Sequence, residues 1–433
     1  MELLSMLCTG ITTLISVLMI YQIVYAVIGF FGKEKTFAPA KRQHSFGIVI
    51  AARNERLVIG NLLDSIAAQN YDMSCVRVFV VADNCDDDTA DICRARGAIV
   101  YERKDPARAR KGYALKYLFD CIERDYGIES LEGYLFFDAD NLLHPDFLAE
   151  INKAFDTGAD TVVGYRNTKN FSTNFISAAY GIHFCRSSAL MHRPRTRLGL
   201  STHIAGTGYV LRSSLLRGGW QFTSLTEDTE FTLTSIASGR HIEFCEAAEF
   251  YDEQPYSFGV MLRQRLRWSK GRLCCFFRCA ARLVKGCFKM PVGKRACRFA
   301  CYDMFFYSFP KALLSAFLAL ILTVASAVVS GISTEPAALA DSAWELVRSL
   351  MGAYLGFLLI GAVTVIRERR HIRCTAGRLA AYVLAFPWFD LVGLPISIAS
   401  LFMRVKWKPI RHDKAIRIDE ITGEDKKKDT SFI

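Results

Sequence analysis

Asp138 and Asp140 end an apolar run that starts at Gly133, Gly-Tyr-Leu-Phe-Phe-Asp-Ala-Asp. Residues two apart in an extended segment point to the same side, so the two carboxylates can share one ion where a strand leaves a sheet. A hard divalent cation such as Mg²⁺, held by one or two carboxylates, keeps positions open for phosphate oxygens. A calcium loop fits poorly, because it needs a glycine five residues after its first Asp and Leu143 stands there. An acidic strand-to-turn corner without an ion is the plain alternative for so short a motif. Further on, Thr226-Glu227-Asp228-Thr229-Glu230 reads as a capped helix start. The positive end of that helix favours an ionised Asp228, the state a general base requires; an ordinary acidic first turn is the alternative.

Positioning these acids takes a sheet. Phe46–Ala52 and Val76–Ala82 are short β-branched runs suited to strands buried on both faces. Strand endings with acids, each followed by a helical pattern, recur at Ile99–Glu102 and Tyr134–Asp140. Such alternation predicts βαβ units and a mostly parallel sheet. Ligands of these sheets sit beyond the carboxyl ends of the strands, so Glu55, Asp83, Asp138 and Asp140 should converge there. Asn54 is expected to cap a helix running to about Gln69. The basic stretch Lys104–Lys116 opens another helix, with cations for a diphosphate and Gly112 for close backbone approach, or else a solvated face. Ala205-Gly206-Thr207-Gly208 is small enough to let a substrate lie against backbone. In Gln264-Arg265-Leu266-Arg267-Trp268-Ser269-Lys270-Gly271, the Trp can stack on a sugar while Gln and Arg bind hydroxyls and phosphates. An amphipathic helix anchored at a membrane by that Trp is the alternative.

The 433 residues leave room for one sizeable domain and a membrane part. Leu3–Phe31 carries no charged side chain and is long enough to cross a bilayer, so it reads as a retained anchor (1–33). The chain is mixed in texture over 42–272, and Leu273–Ala300 looks interfacial. Apolar runs return at Ala312–Ile332, Leu346–Ile366 and Leu379–Met403, giving a membrane part over 301–408 and a tail over 409–433. Pro387, Asp390 and Pro395 favour re-entry of the last run over a full crossing. The net charge of +11 gathers around the apolar runs, which points to lipid headgroups and away from nucleic acid. Arg367–Arg378 is basic and Ser333–Glu345 acidic, so the former is expected in the cytosol. The tail from Ile416 to Ile433 is expected to be disordered. The 14 cysteines form no C-x-x-C pair, which fits a reducing compartment. Cys274, Cys275, Cys279 and Cys287 are expected on a membrane-facing helix surface and not around zinc.

The order Ala52-x-Asn54-Glu55, Asp83, Asp138-x-Asp140, Thr226-Glu227-Asp228 and Gln264-x-x-Arg267-Trp268, bracketed by apolar spans, resembles the membrane-integrated family 2 glycosyltransferases, among them cellulose, chitin, hyaluronan and poly-N-acetylglucosamine synthases. The resemblance covers Phe46 to Gly271 and, more loosely, Trp407-Lys408-Pro409. It implies an α/β GT-A fold, a UDP-sugar donor, Mg²⁺ or Mn²⁺, and inversion at the anomeric carbon. By position it implies that Glu55 and Asp83 contact uridine and ribose, Asp138 the nucleotide and metal, Asp140 the metal, and Lys111 the diphosphate. Asp228 would be the base with Glu227 beside it, and Gln264, Arg267, Trp268, Gly206 and Thr207 would serve diphosphate and acceptor. A growing polysaccharide is the expected acceptor and a membrane lipid the alternative. A non-catalytic sensor of nucleotide sugars is a third reading, which the intact acids oppose, and an export partner is left open. The catalytic domain is expected in the cytosol, on a multi-pass plasma-membrane protein. Asp83-Asn84-Cys85 departs from the family's usual Asp-Asp or Asp-Gly, and Asn141 replaces the His common in cellulose synthases.

Overall fold

The computed structural model describes residues 2–290, 295–330 and 336–423. Its centre is one eight-stranded mixed sheet. The strands are β1 (Phe46–Ala52), β2 (Val76–Asp83), β3 (Ile99–Arg103), β4 (Gly133–Asp138), β5 (Leu142–Leu143), β6 (Thr161–Thr168), β7 (Tyr209–Arg212) and β8 (Ile242–Asp252), in the order β3-β2-β1-β4-β7-β6-β8-β5. β3, β2, β1 and β4 run parallel, which puts their carboxyl ends in one row. β7 pairs antiparallel with both β4 and β6, while β8 runs parallel to β6. A register shift between Gly164 and Tyr165 brings Asp252 opposite Thr168 at the end of that ladder. Two apolar layers cover the sheet, one built on Leu118, Phe119, Phe136 and Trp220 and the other on Ile50, Leu62, Phe137 and Ile151.

Beyond the sheet the helices are long. Phe258–Lys289 is one helix, packed on Glu227–Ala237 and on Arg295–Ser308. Phe277, Val284 and Phe288 are exposed on it, whereas Cys275 and Cys279 are buried against the Glu227–Ala237 helix. Those two cysteines therefore do not face a membrane; they are small side chains that let two helices approach. The N-terminal run is two helices, Glu2–Leu18 and Tyr21–Phe31, bent by 41°. Ala343–Arg367 and Ala376–Phe402 are long and apolar enough to cross a membrane.

The expected choice between crossing and re-entry concerns the last of these. It is built from two helices, Ala376–Leu391 and Gly393–Phe402. Ser172 Oγ donates to the Arg373 carbonyl just before it (2.9 Å), Arg186 pairs with Asp390 at its middle, and Ser269 Oγ donates to Ser400 Oγ near its end (3.1 Å). Leu384, Trp388 and Leu401 are left exposed along it.

The tail also departs from expectation. Ile416, Ile418 and Ile421 pack on Leu142 and Tyr251, and Ile418–Thr422 is helical, so burial of a small apolar face orders the tail to Gly423. Residues 424–433 of the tail and 331–335 of the acidic connection lie outside the described residues.

Candidate active site

The turns after β1 and β2 are shaped by two asparagines in the left-handed region, Asn54 and Asn84, both with φ 56°. Asparagine tolerates this conformation better than other non-glycine residues, and each side chain ties its turn. Asn54 Oδ1 accepts the Asp86 N–H and Asn84 Oδ1 the Asp105 N–H, both at 2.8 Å. Asn54 is therefore a turn residue and not a helix cap; the helix begins only at Ile59 and ends at Ala67. The turns leave Glu55 and Asp83 lining a cavity of about 670 Å³. Asp83 is buried, with Oδ1 taken by Arg103 (2.5 Å) and Asn84 (2.9 Å).

At the end of β4, the Asp138 N–H is held by Thr207 Oγ1 (3.0 Å) and Asn141 Oδ1 (3.1 Å). Thr207 is thus spent on strand geometry and sits behind the cavity wall, against the expectation that it meets an acceptor. Gly206, with φ +85°, does face the site: a Cβ there would stand 3.6 Å from Asp228 Oδ2. Lys111 pairs with Asp138 and donates to the Gly206 carbonyl at 2.7 Å. Gly112 is pressed against the Phe222 carbonyl, so the close approach expected of it is to protein backbone and not to a ligand.

Asp140 is buried to 3% exposure and accepts the Glu253 N–H at 3.0 Å. Burial, reinforced by Asp252 and Asp138, pushes its carboxyl up to about 8, although His412 and Lys169 oppose the rise. His412 stands with Nδ1 3.0 Å from Glu55 and Nε2 4.0 Å from Asp140. Burial alone would lower its pKa, but Asp140 and Glu55 outweigh that and raise it to about 10. Asp252, paired with Arg166 and held by Asn141 (2.8 Å) and Gln254 (2.8 Å), stays below the usual carboxylate range despite its burial.

Across the cavity, Glu227 and Asp228 occupy the first turn of the Glu227–Ala237 helix. Burial raises both, and the charge of Asp228 adds to Glu227, which reaches about 7. The Thr229 N–H, 2.7 Å from Asp228 Oδ1, and Arg267 act the other way on Asp228. Thr226 makes no capping bond; its hydroxyl turns to Cys275 instead. Gly271 lets the long helix close on this point, since a Cβ there would lie 2.5 Å from Thr226 Cγ2. Arg267 donates to the Leu225 carbonyl at 2.9 Å, and Trp268 packs edge-on against Tyr180. Gln264 Oε1 is buried with no partner among the described residues.

Glu55, Asp83, Lys111, Asp138, Asp140, Gly206, Glu227, Asp228, Gln264, Arg267 and Trp268 all line the one cavity. Sequence reasoning missed three contributors. Asp252 ends β8 and Glu253 follows it, an acid-terminated strand of the same kind as the four recognised, and His412 lies before the Ile416–Ile433 segment, in a stretch to which sequence reasoning assigned no site role. The cavity also runs on past Asp228 to Tyr25, Tyr307, Lys311 and Ile360 on the outer helices.

A family profile described as glycosyltransferase like family 2 matches residues 43–271. Among curated proteins, the probable glycosyltransferase YdaM of Bacillus subtilis is 26% identical over 270 residues, 60% of this chain and 63% of that one. The poly-beta-1,6-N-acetyl-D-glucosamine synthase of Staphylococcus epidermidis is 24% identical over 273 residues (58% and 62%). The beta-monoglucosyldiacylglycerol synthase of Trichormus variabilis is 25% identical over 231 residues (52% and 48%). The match thus spans between about half and just under two thirds of the length of these relatives. Among solved structures, the mannosyltransferase PcManGT of Pyrobaculum calidifontis, in complex with GDP-Man and Mn²⁺, aligns over 85% of this chain and 98% of its own with a TM-score of 0.56 and 16% identity, a likeness of fold. The sheet and its helices are a GT-A fold, and the chain belongs to the glycosyltransferase-like family 2.

Proposed function

We propose that this protein is an inverting membrane glycosyltransferase that moves a hexose or N-acetylhexosamine from a UDP-sugar to an acceptor reached from the membrane side of the cavity. The observation that carries the reading is the convergence of Asp83, Asp140 and Asp228, far apart in the chain, on one cavity. Glu55 and Asp83 at the turns after β1 and β2 bind the nucleoside. Asp228 takes the proton of the attacking hydroxyl as the new bond forms at the anomeric carbon and the diphosphate leaves with its electron pair, so an α-linked donor gives a β-linkage. Lys111 and Arg267 lie on the path of the leaving diphosphate and offset its charge.

The donor set fits a divalent cation. Asp140 is a buried carboxylate beside Asp252 and Asp138; burial is the main cause of its raised pKa, and His412 and Lys169 supply opposing charge. Asp140 and Asp138 would hold Mg²⁺ or Mn²⁺, which when bound supplies charge neutralisation at the diphosphate.

The membrane arrangement follows the charge rule. The basic connection Arg367–Arg378 and the tail from Arg404 both lie against the sheet domain, so one cytosolic side accommodates all three. Re-entry of the Ala376–Phe402 helices, the arrangement we favour, then removes the need to carry a basic tail outside. Plasma membrane is the compartment we infer, with the 42–272 domain on its cytosolic face.

Two acceptors suit a cavity running from strand ends to membrane helices. A growing polysaccharide is favoured by Trp268, an aromatic wall of the kind sugars stack on. A lipid headgroup is favoured by the apolar helices that line the far end. Purified protein in detergent with labelled UDP-sugars decides: a long product marks polymerisation, a single added sugar on lipid marks the second reading, and no transfer from any donor removes the enzyme reading.

A further inference from the structure

The two ends of the cavity differ in charge. Every carboxylate lining it belongs to the strand-end turns or to the helix start at Glu227, and none lines the far end. The far end is basic. Two of its arginines are matched from behind, Arg195 by Asp303 at 2.7 Å and Arg186 by Asp390. Arg272 and Lys311 are not: among the described residues neither has a carboxylate within 4.0 Å, and both are exposed. Both line the cavity on the Tyr307 side: the Arg272 guanidinium lies 5.7 Å from the centre of the Tyr307 ring, and Lys311 follows Tyr307 at the start of the next helix. His203 stands against the same ring, its centroid 4.6 Å away. His203 is 5% exposed, and its Nδ1 is buried with no partner among the described residues, although the ring lines the cavity. Burial, with His192 and Arg195 nearby, lowers the pKa of this imidazole. Two unmatched cations and an unfilled imidazole nitrogen, framed by Tyr25 and Ile360 from apolar helices, form a pocket for an anion attached to something greasy.

We propose that this far end is the acceptor subsite for a phosphate-bearing lipid, with the phosphate between Arg272 and Lys311 and His203 Nδ1 bonded to the headgroup. The inference rests on the glycosyltransferase reading and names the acceptor for it. A headgroup hydroxyl attacks the anomeric carbon, its proton passes to Asp228, and the bond from sugar to diphosphate breaks with its electrons on the leaving group. One sugar is added per lipid, and the lipid phosphate stays intact.

The test uses the full chain in nanodiscs with labelled UDP-sugars and three acceptors: phosphatidylglycerol, diacylglycerol and soluble glycerol 1-phosphate. The expected result is transfer to phosphatidylglycerol. Lys311→Gln and Arg272→Gln should each raise the lipid KM about tenfold or more, the loss of one charge-assisted contact. The donor KM should stay within about twofold, and Lys311→Arg should restore the lipid KM. Equal use of diacylglycerol, or variants that move the donor KM and leave the lipid KM alone, would overturn the proposal. Transfer to glycerol 1-phosphate only would overturn the lipid assignment and keep the phosphate. Donor consumption with a sugar polymer as sole product defeats this proposal alone, while no consumption of any donor defeats the glycosyltransferase reading as well.

Discussion

Gly271→Ala separates seating of the base from stability. The added Cβ would lie 2.5 Å from Thr226 Cγ2 and 2.6 Å from its Oγ1, so the two helices must part by roughly 1 Å to reach ordinary contact. Overpacking of this kind costs about 1–3 kcal/mol, and the better helix propensity of alanine returns about 1 kcal/mol. The net loss of about 0–2 kcal/mol lowers Tm by at most about 8 °C in a domain of this size. Activity should fall much further. Thr226 is two residues from Asp228 at the start of the same helix, and a misplacement of about 1 Å in a reacting group costs about 100-fold. The assay is kcat for transfer from a labelled donor, beside Tm in the same detergent. Adding Thr226→Ala removes both of the closest atoms and, since Thr226 makes no capping bond, should recover most of kcat. A Gly271→Ala enzyme with kcat within about twofold of the parent, or a loss that Thr226→Ala does not relieve, refutes the reasoning.

Three further outcomes follow. His412→Ala leaves Glu55 and Asp140 as buried carboxylates without their cation, and should destabilise by about 3–5 kcal/mol, read from denaturant midpoints near neutral pH; no change would show that the tail does not pair with them. Asp140→Asn should abolish the metal dependence of UDP binding in a Mn²⁺ or Mg²⁺ titration, and unchanged dependence would remove Asp140 as a ligand. Glu227 holds its proton to about pH 7 when folded but only to about 4.3 when unfolded. The native state then binds more protons across that window, so this group makes stability fall as pH rises from about 4 to 7 and adds no further slope above it. Glu227→Gln should lose less stability between pH 5 and pH 8 than the parent, and an equal loss counts against the assignment.

The ends of β1, β2 and β4 were legible because a parallel strand buried on both faces writes itself as an unbroken apolar run, and each of these three leads into acids, whereas the edge strand β3 is only partly buried. β1 begins and ends at the residues read from the sequence, Phe46 and Ala52. The other half of the sheet was not legible. β7 is only four residues long, and β8 carries Glu243, Glu246 and Glu249 within it. Those charges are answered from a distance, Glu246 by Arg193 and Glu243 by Lys35, and no local pattern announces such pairings. With β8 went Asp252 and Glu253. The tail was misjudged for a related reason: Ile416, Ile418 and Ile421 are too few for a core of their own and gain order only on Leu142 and Tyr251. Glycines show the same limit. The sequence marks Gly112 as a place of close approach but not what approaches, which is the Phe222 carbonyl, and no local pattern announces that Gly271 closes on Thr226.

The central claim is that Asp228 draws the proton from the acceptor hydroxyl inside a cavity built for a sugar nucleotide. Asp228→Asn keeps the shape and removes the base, so donor affinity by calorimetry and single-turnover transfer on the same preparation test it together. The account predicts donor binding within about threefold of the parent and transfer slowed by about 100-fold to 10,000-fold. Transfer at the parental rate by the Asn variant would contradict it.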